Sequence, residues 1–282
     1  MAARTLHVSD LHAGRRETPG LADALAALVT EVDPELVIAT GDLAHRGRAS
    51  QLAQAQALLA GLGRPVLAVP GNHDIPYTFP ARFTSPWRAF EAAVGPTDPA
   101  YRSDGLVVCG LNSVRPWRHQ GGGLSAARLA RAAEELRGTG GAPLRVVALH
   151  HHLAGAPWRA SRKFPLAHRD RALRALAAAG VELVIGGHIH QGVVTTRAEF
   201  DVLAGANGSI VLATAPGLGR PRPHRSGEAQ GAMVYEWDAE TLTALTYVLD
   251  DDRFARVARR AFPRRRLDSP AVAASNHEEQ TQ

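Results

Sequence analysis

Short apolar runs alternate with Ala/Leu/Arg stretches of helical spacing over the first two thirds of the chain. RTLHVSD (4–10) precedes a helix at about 20–32, and ELVIAT (35–40) precedes one at about 49–61. PVLAVP (65–70) then runs into a polar turn. A second series follows: LVVCGLNS (106–113), a helix at 125–137 that Ser125 can cap, LRVVALH (144–150), a helix at about 168–179, and ELVIGG (182–187). The strand runs are apolar at successive positions, as in strands covered on both faces, so this order predicts a layered α/β fold. The runs GVVTTR, SIVLATA, AMVYEWD and LTALTYVLD have short turns and predict an antiparallel sheet at the end of the chain. From about residue 253 the pattern fails, and DSPAVAASNHEEQTQ is polar, small and aperiodic. The reading is one domain over 1–252 and a disordered tail over 253–282.

The 282 residues, 45% of them hydrophobic, are enough for a large core. No run approaches the ~18 apolar residues of a membrane span. MAARTLHVSD passes directly into a strand without a signal-peptide pattern, and the single Cys109 excludes an internal disulfide. The expectation is a cytoplasmic protein. A net charge of +5 would suit an acidic partner. However, the basic residues are nearly all Arg, with Lys163 the only Lys, and they are dense only in RRAFPRRR (259–266), where no aromatic ladder interleaves. A small-molecule partner is therefore favoured over nucleic acid, and the pattern says nothing of oligomeric state.

Candidate chemistry lies at the strand ends. The first strand ends in Asp10-Leu11-His12, the second in Gly41-Asp42, and the third in Gly71-Asn72-His73-Asp74. The run 144–149 ends in His150-His151-His152, and the run 183–186 in Gly187-His188-Ile189-His190. In open α/β sheets the C-terminal edge is where ligands bind. In extended backbone residues i and i+2 share a side, so Asp10 with His12, and His188 with His190, can each converge on one point. Gly41, Gly71, Gly186 and Gly187 let the chain turn beside them. Oxygen and imidazole donors without thiolate suit Mn, Fe, Zn, Ni or Co. No Gly-rich phosphate loop or GxSxG-like elbow offers a protein nucleophile.

D-x-H, G-D, G-N-H-D, a strand-ending His and G-H-x-H, in this order from residue 4 to about 215, resemble the signature of the calcineurin-like metallophosphoesterases. GDLA, HHH at 150–152 and GGHIHQ at 186–191 are most similar to the bacterial class III cyclic-nucleotide phosphodiesterases. The resemblance implies a four-layer α-β-β-α sandwich of two mixed β-sheets flanked by helices, with two metal ions at one edge. It implies that Asp10, His12 and His190 hold one ion, that Asn72, His150 and His188 hold the other, and that Asp42 bridges them. His150 is chosen within its cluster as the first residue after the strand, which leaves His151 and His152 behind the ligands or facing substrate. Relatives often carry Pro soon after this His, whereas here Pro comes only at 157. His73 is implied as the catalytic residue over the site, bonding the phosphoryl oxygen or protonating the leaving group. Asp74 either orients His73 or caps the turn.

The function so implied is a phosphodiesterase for a cyclic nucleotide or a glycerophosphodiester, working by in-line attack of a metal-bridging hydroxide. A phosphomonoesterase, a nuclease or a non-catalytic scaffold are the alternatives. Three features stay open at this point. Arg15 and Arg16 either meet phosphate or line a solvated loop. His45 can face the site. The segment 154–170 either covers substrate, through Trp158, Arg159, Arg162 or Lys163, or simply connects to the next helix.

Overall fold

The computed structural model describes residues 2–137, 143–153, 163–197, 210–221 and 228–264. The first half-sequence gives β1 (Ala3–Val8), α1 (Leu21–Val32), β2 (Leu36–Ala39), α2 (Ala49–Ala60), β3 (Val66–Ala68), and the short α3 (Ala81–Thr84) and α4 (Arg88–Ala93). The middle gives β4 (Ala100–Arg102), β5 (Leu106–Gly110), α5 (Ala126–Arg137), β6 (Leu144–Ala148), α6 (Arg169–Ala178) and β7 (Leu183–Gly186). The last stretch gives β8 (Val193–Thr196), β9 (Val211–Thr214), β10 (Gly231–Trp237), β11 (Thr241–Asp250) and β12 (Arg253–Pro263).

These strands form two six-stranded sheets, ordered β12-β11-β10-β1-β2-β3 and β4-β5-β6-β7-β9-β8. Both are mixed. β1, β2 and β3 are parallel, while β10 lies antiparallel to β1. β5, β6, β7 and β9 are parallel, while β4 and β8 are antiparallel edges. The late strands therefore do not form a sheet of their own. β8 and β9 extend the second sheet and β10–β12 extend the first, so each sheet gains antiparallel members from the chain's end.

Alternation along each strand builds the layers. On β2, Leu36 and Ile38 enter the core between the sheets, while Val37 and Ala39 enter the core under α1 and α2. On β6, Leu144, Val146 and Ala148 face the first sheet, while Val147 packs with Leu129 of α5 and Leu173 of α6. A strand covered on both faces has no polar side to show, which is why the runs read as continuously apolar.

The sequence reading ended the folded pattern near residue 252, but Arg253–Pro263 form a long strand on β11. The pairing shifts register at Thr246/Tyr247, where Val257 is the extra residue. A bulge reverses which face each later residue occupies. Phe254 thus packs in the helix-side core and Phe262 in the inter-sheet core, although both are even-numbered. The remainder of the expected disordered tail, from 265 on, lies outside the described residues. Phe262→Ala should cost about 3 kcal/mol, the low end for a buried aromatic at a sheet edge. A urea denaturation series would measure it. A change below about 1 kcal/mol would show that β12 contributes little to the core.

Candidate metal centre

The C-terminal ends of β1, β2, β3, β6 and β7 meet at one edge of the sandwich, and the seven proposed ligands come together there. All are buried: Asp10, His150 and His188 have no exposed surface, and the most open, His12 and His190, have 6%. Two sets of donors result. In one, Asp10 Oδ1 is 3.1 Å from His190 Nε2, and His12 Nε2 is 3.2 Å from His190 Nε2. In the other, His150 Nε2 is 3.1 Å from Asn72 Oδ1 and 3.2 Å from His188 Nδ1. Asp42 lies between them, with Oδ2 3.8 Å from His12 Nε2 and Oδ1 3.4 Å from His150 Nε2.

The spacing argument from sequence needs two corrections. Asp10, His12, Asp42, His188 and His190 are not extended, because their φ angles lie between 52° and 75°. Residues other than Gly rarely adopt this left-handed region, and it costs energy that surrounding structure must impose. Here the turns are held by the amide of Asp10 on the Gly41 carbonyl and that of His12 on the Asp42 carbonyl, each at 2.9 Å. Second, His188 and His190 do not converge on one point. They divide between the two sets, His188 with Asp42 and His150, and His190 with Asp10 and His12. Gly187 is required between them, since a Cβ there would lie 1.8 Å from Ser9 Oγ.

Hydrogen bonds fix the donors. His150 Nδ1 donates to the Thr40 carbonyl at 2.7 Å, so in the neutral ring Nε2 carries the lone pair that faces Asn72 and Asp42. Asp10 Oδ2 accepts from Ser9 Oγ and from the His188 amide, at 2.8 and 2.9 Å. Its Oδ1 is buried and faces the ring of His190, with Nε2 3.1 Å away. The ionisation states suit ligation. Burial opposes the charge on Asp10, yet His190 and more distantly His150 hold its carboxyl well below the usual carboxylate range. Burial likewise opposes Asp42, yet His150, His73 and His12 hold it at about 2. Burial lowers His12 to about 3 and takes His188 well below the ordinary histidine value.

These residues fit a pair of cations. With Nδ1 donating to Thr40, a neutral His150 ring sets Nε2 against Asn72 Oδ1 and Asp42 Oδ1, and three acceptors facing one another repel unless a positive charge stands among them. Donors about 2.1 Å from a common ion would be about 3.0–3.4 Å apart. Asp10–His190, His12–His190, Asn72–His150, His188–His150 and Asp42–His150 have this spacing, while His12 stands wider, 4.0 Å from Asp10 and 3.8 Å from Asp42.

His73 is half-buried and its ring centroid is 4.9 Å from that of His12. Its amide donates to Asp42 Oδ1 at 2.8 Å, and its Nδ1 lies 2.8 Å from the His45 carbonyl, which leaves Nε2 unengaged. His45 does face the site: its ring nitrogens, with those of His12 and His73, form a third close group. Asp74 does not orient His73. Its two oxygens accept from the amides of Ala44 and Gly71, each at 2.7 Å, so it clamps the second and third loops together. Burial and the charge of Asp42 raise it to about 7.

His151 lies behind the ligands, with its Nδ1 2.8 Å from Ser113 Oγ and its ring 4.7 Å from that of His188. His152 is buried with both ring nitrogens unpartnered among the described residues. Trp158, Arg159 and Arg162 lie outside the described residues. Lys163 is described, and its charge lowers the proton affinity of Asp10 and of His188. The sequence reading passed over Ser9, Thr40 and Ser113, which hold Asp10, His150 and His151. Ser and Thr at strand ends are too common to single out without coordinates.

Buried imidazoles give acid lability with a definite sign. His7, between the sheets, is lowered by burial to about 3, as is His12, and burial also takes His151 well below the ordinary histidine value. An unfolded chain takes up these protons near the ordinary value of about 6.5, while the folded chain does not. The stability they contribute is complete above about 6.5 and is lost as pH falls towards 3. Asp42 extends the loss from the ordinary carboxylate range towards 2. Asp74 acts oppositely: its contribution is complete below its ordinary value and fades as pH rises through about 7. The histidines outnumber it, so the Tm of metal-free protein should fall steadily from pH 7 to pH 4. A flat Tm across that range would show that these rings are not buried neutral.

Comparison with known proteins agrees with this architecture. The family described as calcineurin-like phosphoesterase matches residues 3–192. No curated protein matches the chain. Among solved structures, the purple acid phosphatase PPD1 of yellow lupin (Lupinus luteus) is 15% identical with a TM-score of 0.66, covering 93% of this chain and 53% of its own. The chain thus spans about half the length of the lupin protein. PhoD is 12% identical with a TM-score of 0.68, covering 97% of this chain and 73% of its own. GAP50 of Plasmodium, described as the anchor in the inner membrane complex, is 12% identical with a TM-score of 0.61, covering 94% of this chain and 90% of its own. At these identities the structures share the fold alone. No helix among the described residues is long and apolar enough to cross a membrane. With the family matched over more than half of its length, the chain belongs to the calcineurin-like phosphoesterases.

Proposed function

We propose that the protein is a dinuclear-metal-dependent phosphodiesterase for a small molecule, a cyclic nucleotide or a glycerophosphodiester. The observation that carries this is the pair of donor sets sharing Asp42: its two oxygens face opposite sets, 3.8 and 3.4 Å from His12 and His150. Asp10, His12 and His190 would hold one ion and Asn72, His150 and His188 the other. Two such ions supply Lewis-acid charge and a water of lowered pKa.

The protein's own residues do the rest. The Ser9 hydroxyl and the His188 amide fix the Asp10 carboxylate, and the Thr40 carbonyl fixes the His150 tautomer, so the donors are placed before substrate arrives. His73, anchored through Nδ1 on the His45 carbonyl, presents Nε2 beside the site, where it can donate to a phosphoryl oxygen or protonate a leaving alkoxide. No protein nucleophile is needed. The purple acid phosphatase among the structural neighbours supports phosphoester chemistry on this fold. The fold is shared with a protein described as an anchor, so the full donor set with His73, and not the fold, is what favours catalysis here.

The diester preference rests on the GDLA and GGHIHQ runs. Its test is a panel of cyclic nucleotides, glycerophosphodiesters, nucleotide monoesters and single-stranded DNA, each assayed with Mn, Fe, Zn and Co. Diesters should exceed monoesters in kcat/KM by at least about tenfold. A faster monoester or a faster DNA substrate would replace this reading with the phosphomonoesterase or the nuclease.

A further inference from the structure

A cavity of about 340 Å³ lies between the loop after β1, the start of α1 and the outer side of α2. Of the seven proposed ligands His12 alone lines it, so the cavity and the metal centre share one wall. His12 Nδ1 is buried with no hydrogen-bond partner. The rest of the wall is largely apolar, with Leu11 and Leu58 on facing elements. Its charged groups are unevenly matched. Arg15, Arg16 and Arg220 border it, and no carboxylate pairs with any of them among the described residues. Of its two acids, Glu17 is engaged by Gln54, and Asp23 sits in the first turn of α1. That helix begins at Gly20 without a side-chain cap, and the amides of Ala22 and Asp23 meet no acceptor among the described residues. Unmet amides at a helix start and unpaired guanidinium groups both favour an anion.

Resting on the phosphodiesterase reading above, we propose that this cavity takes the ester group that stays on phosphorus. That group is then apolar, about the size of one ring, and carries a negative charge of its own. The volume is at the small end of ligand sites, which fits one ring and not a chain of nucleotides. The substrate class is thus an acyclic phosphodiester with a second anionic group, a carboxylate or a further phosphoryl, on its retained side, which keeps the phosphodiesterase chemistry above but replaces a simple cyclic nucleotide or glycerophosphodiester as the substrate.

Two diesters with the same leaving group test it: 4-nitrophenyl phenyl phosphate and 4-nitrophenyl 4-carboxyphenyl phosphate, with Mn-loaded protein. Hydrolysis breaks the bond from phosphorus to the nitrophenyl oxygen in both, and released nitrophenolate is read. The carboxylated diester should have about tenfold or higher kcat/KM, the value of one charge-assisted contact. The ratio should shrink as salt rises. In the triple variant Arg15→Gln, Arg16→Gln, Arg220→Gln it should fall towards one. A ratio near one in the unaltered protein, or a high ratio that survives the triple variant, overturns the proposal while leaving the phosphodiesterase reading intact.

If neither diester is hydrolysed, that reading fails, and calorimetry still tests the cavity. 4-Carboxyphenylphosphonate should bind at least about tenfold more tightly than phenylphosphonate, and the triple variant should abolish the difference. Equal affinities would overturn the cavity assignment as well.

Discussion

Asp42→Asn should lower metal content and turnover together. Among the described residues, Asp42 alone has side-chain oxygens that approach both donor sets, at 3.8 Å to His12 and 3.4 Å to His150. Its charge would stand between two cations, and removing it increases their mutual repulsion. Residues that merely support a ligand cost about 10–100-fold in metal affinity when lost, and a shared ligand should cost at least the upper figure. Metal titration beside turnover checks this. The fold should survive, because Asn is of the same size and the His73 amide, 2.8 Å from Oδ1, keeps an acceptor. An Asp42→Asn protein with normal metal content would contradict the bridging role.

His73→Ala should fail differently. The ring is held by the His45 carbonyl and belongs to neither of the two sets that share Asp42, although with His12 and His45 it forms a third close group, so the metal content of the two sets should stay near normal. Turnover should fall by roughly the 10²–10⁴-fold that a positioned acid contributes. The loss should shrink for a nitrophenolate leaving group, which hardly needs a proton, and remain large for an alkoxide. If the variant loses its metals, His73 is a ligand. If both substrates slow equally, it is a general electrostatic contact and not the leaving-group acid.

Much of this was legible because the strands that carry the site are covered on both faces. Runs such as ELVIAT and LRVVALH have no polar side, so a polar residue marks where the strand leaves the core. That is how Asp42 and His150 stood out. β4 was not legible, because Ala100–Arg102 is a three-residue antiparallel edge with little to bury. β12 was hidden for a different reason. Its bulge at Val257 breaks the two-residue period, and its arginines lie exposed along a sheet edge. The site was legible as a set of residues, but not as a geometry. The left-handed turns at Asp10, His12, Asp42, His188 and His190 carry no sequence mark: Asp and His enter this region more often than other residues with a side chain, but only a small fraction of them do. Asp74 also read two ways until its oxygens were found on the Ala44 and Gly71 amides.

Two cations would share one carboxylate, that of Asp42, at this sheet edge. Purified protein can be stripped with a chelator, titrated with Mn, and followed by elemental analysis and turnover on a chromogenic phosphodiester. The expected result is two ions bound per chain, with activity absent in the stripped protein and complete only when the second ion is bound. Full activity in the stripped protein, or saturation at one ion per chain, would contradict it.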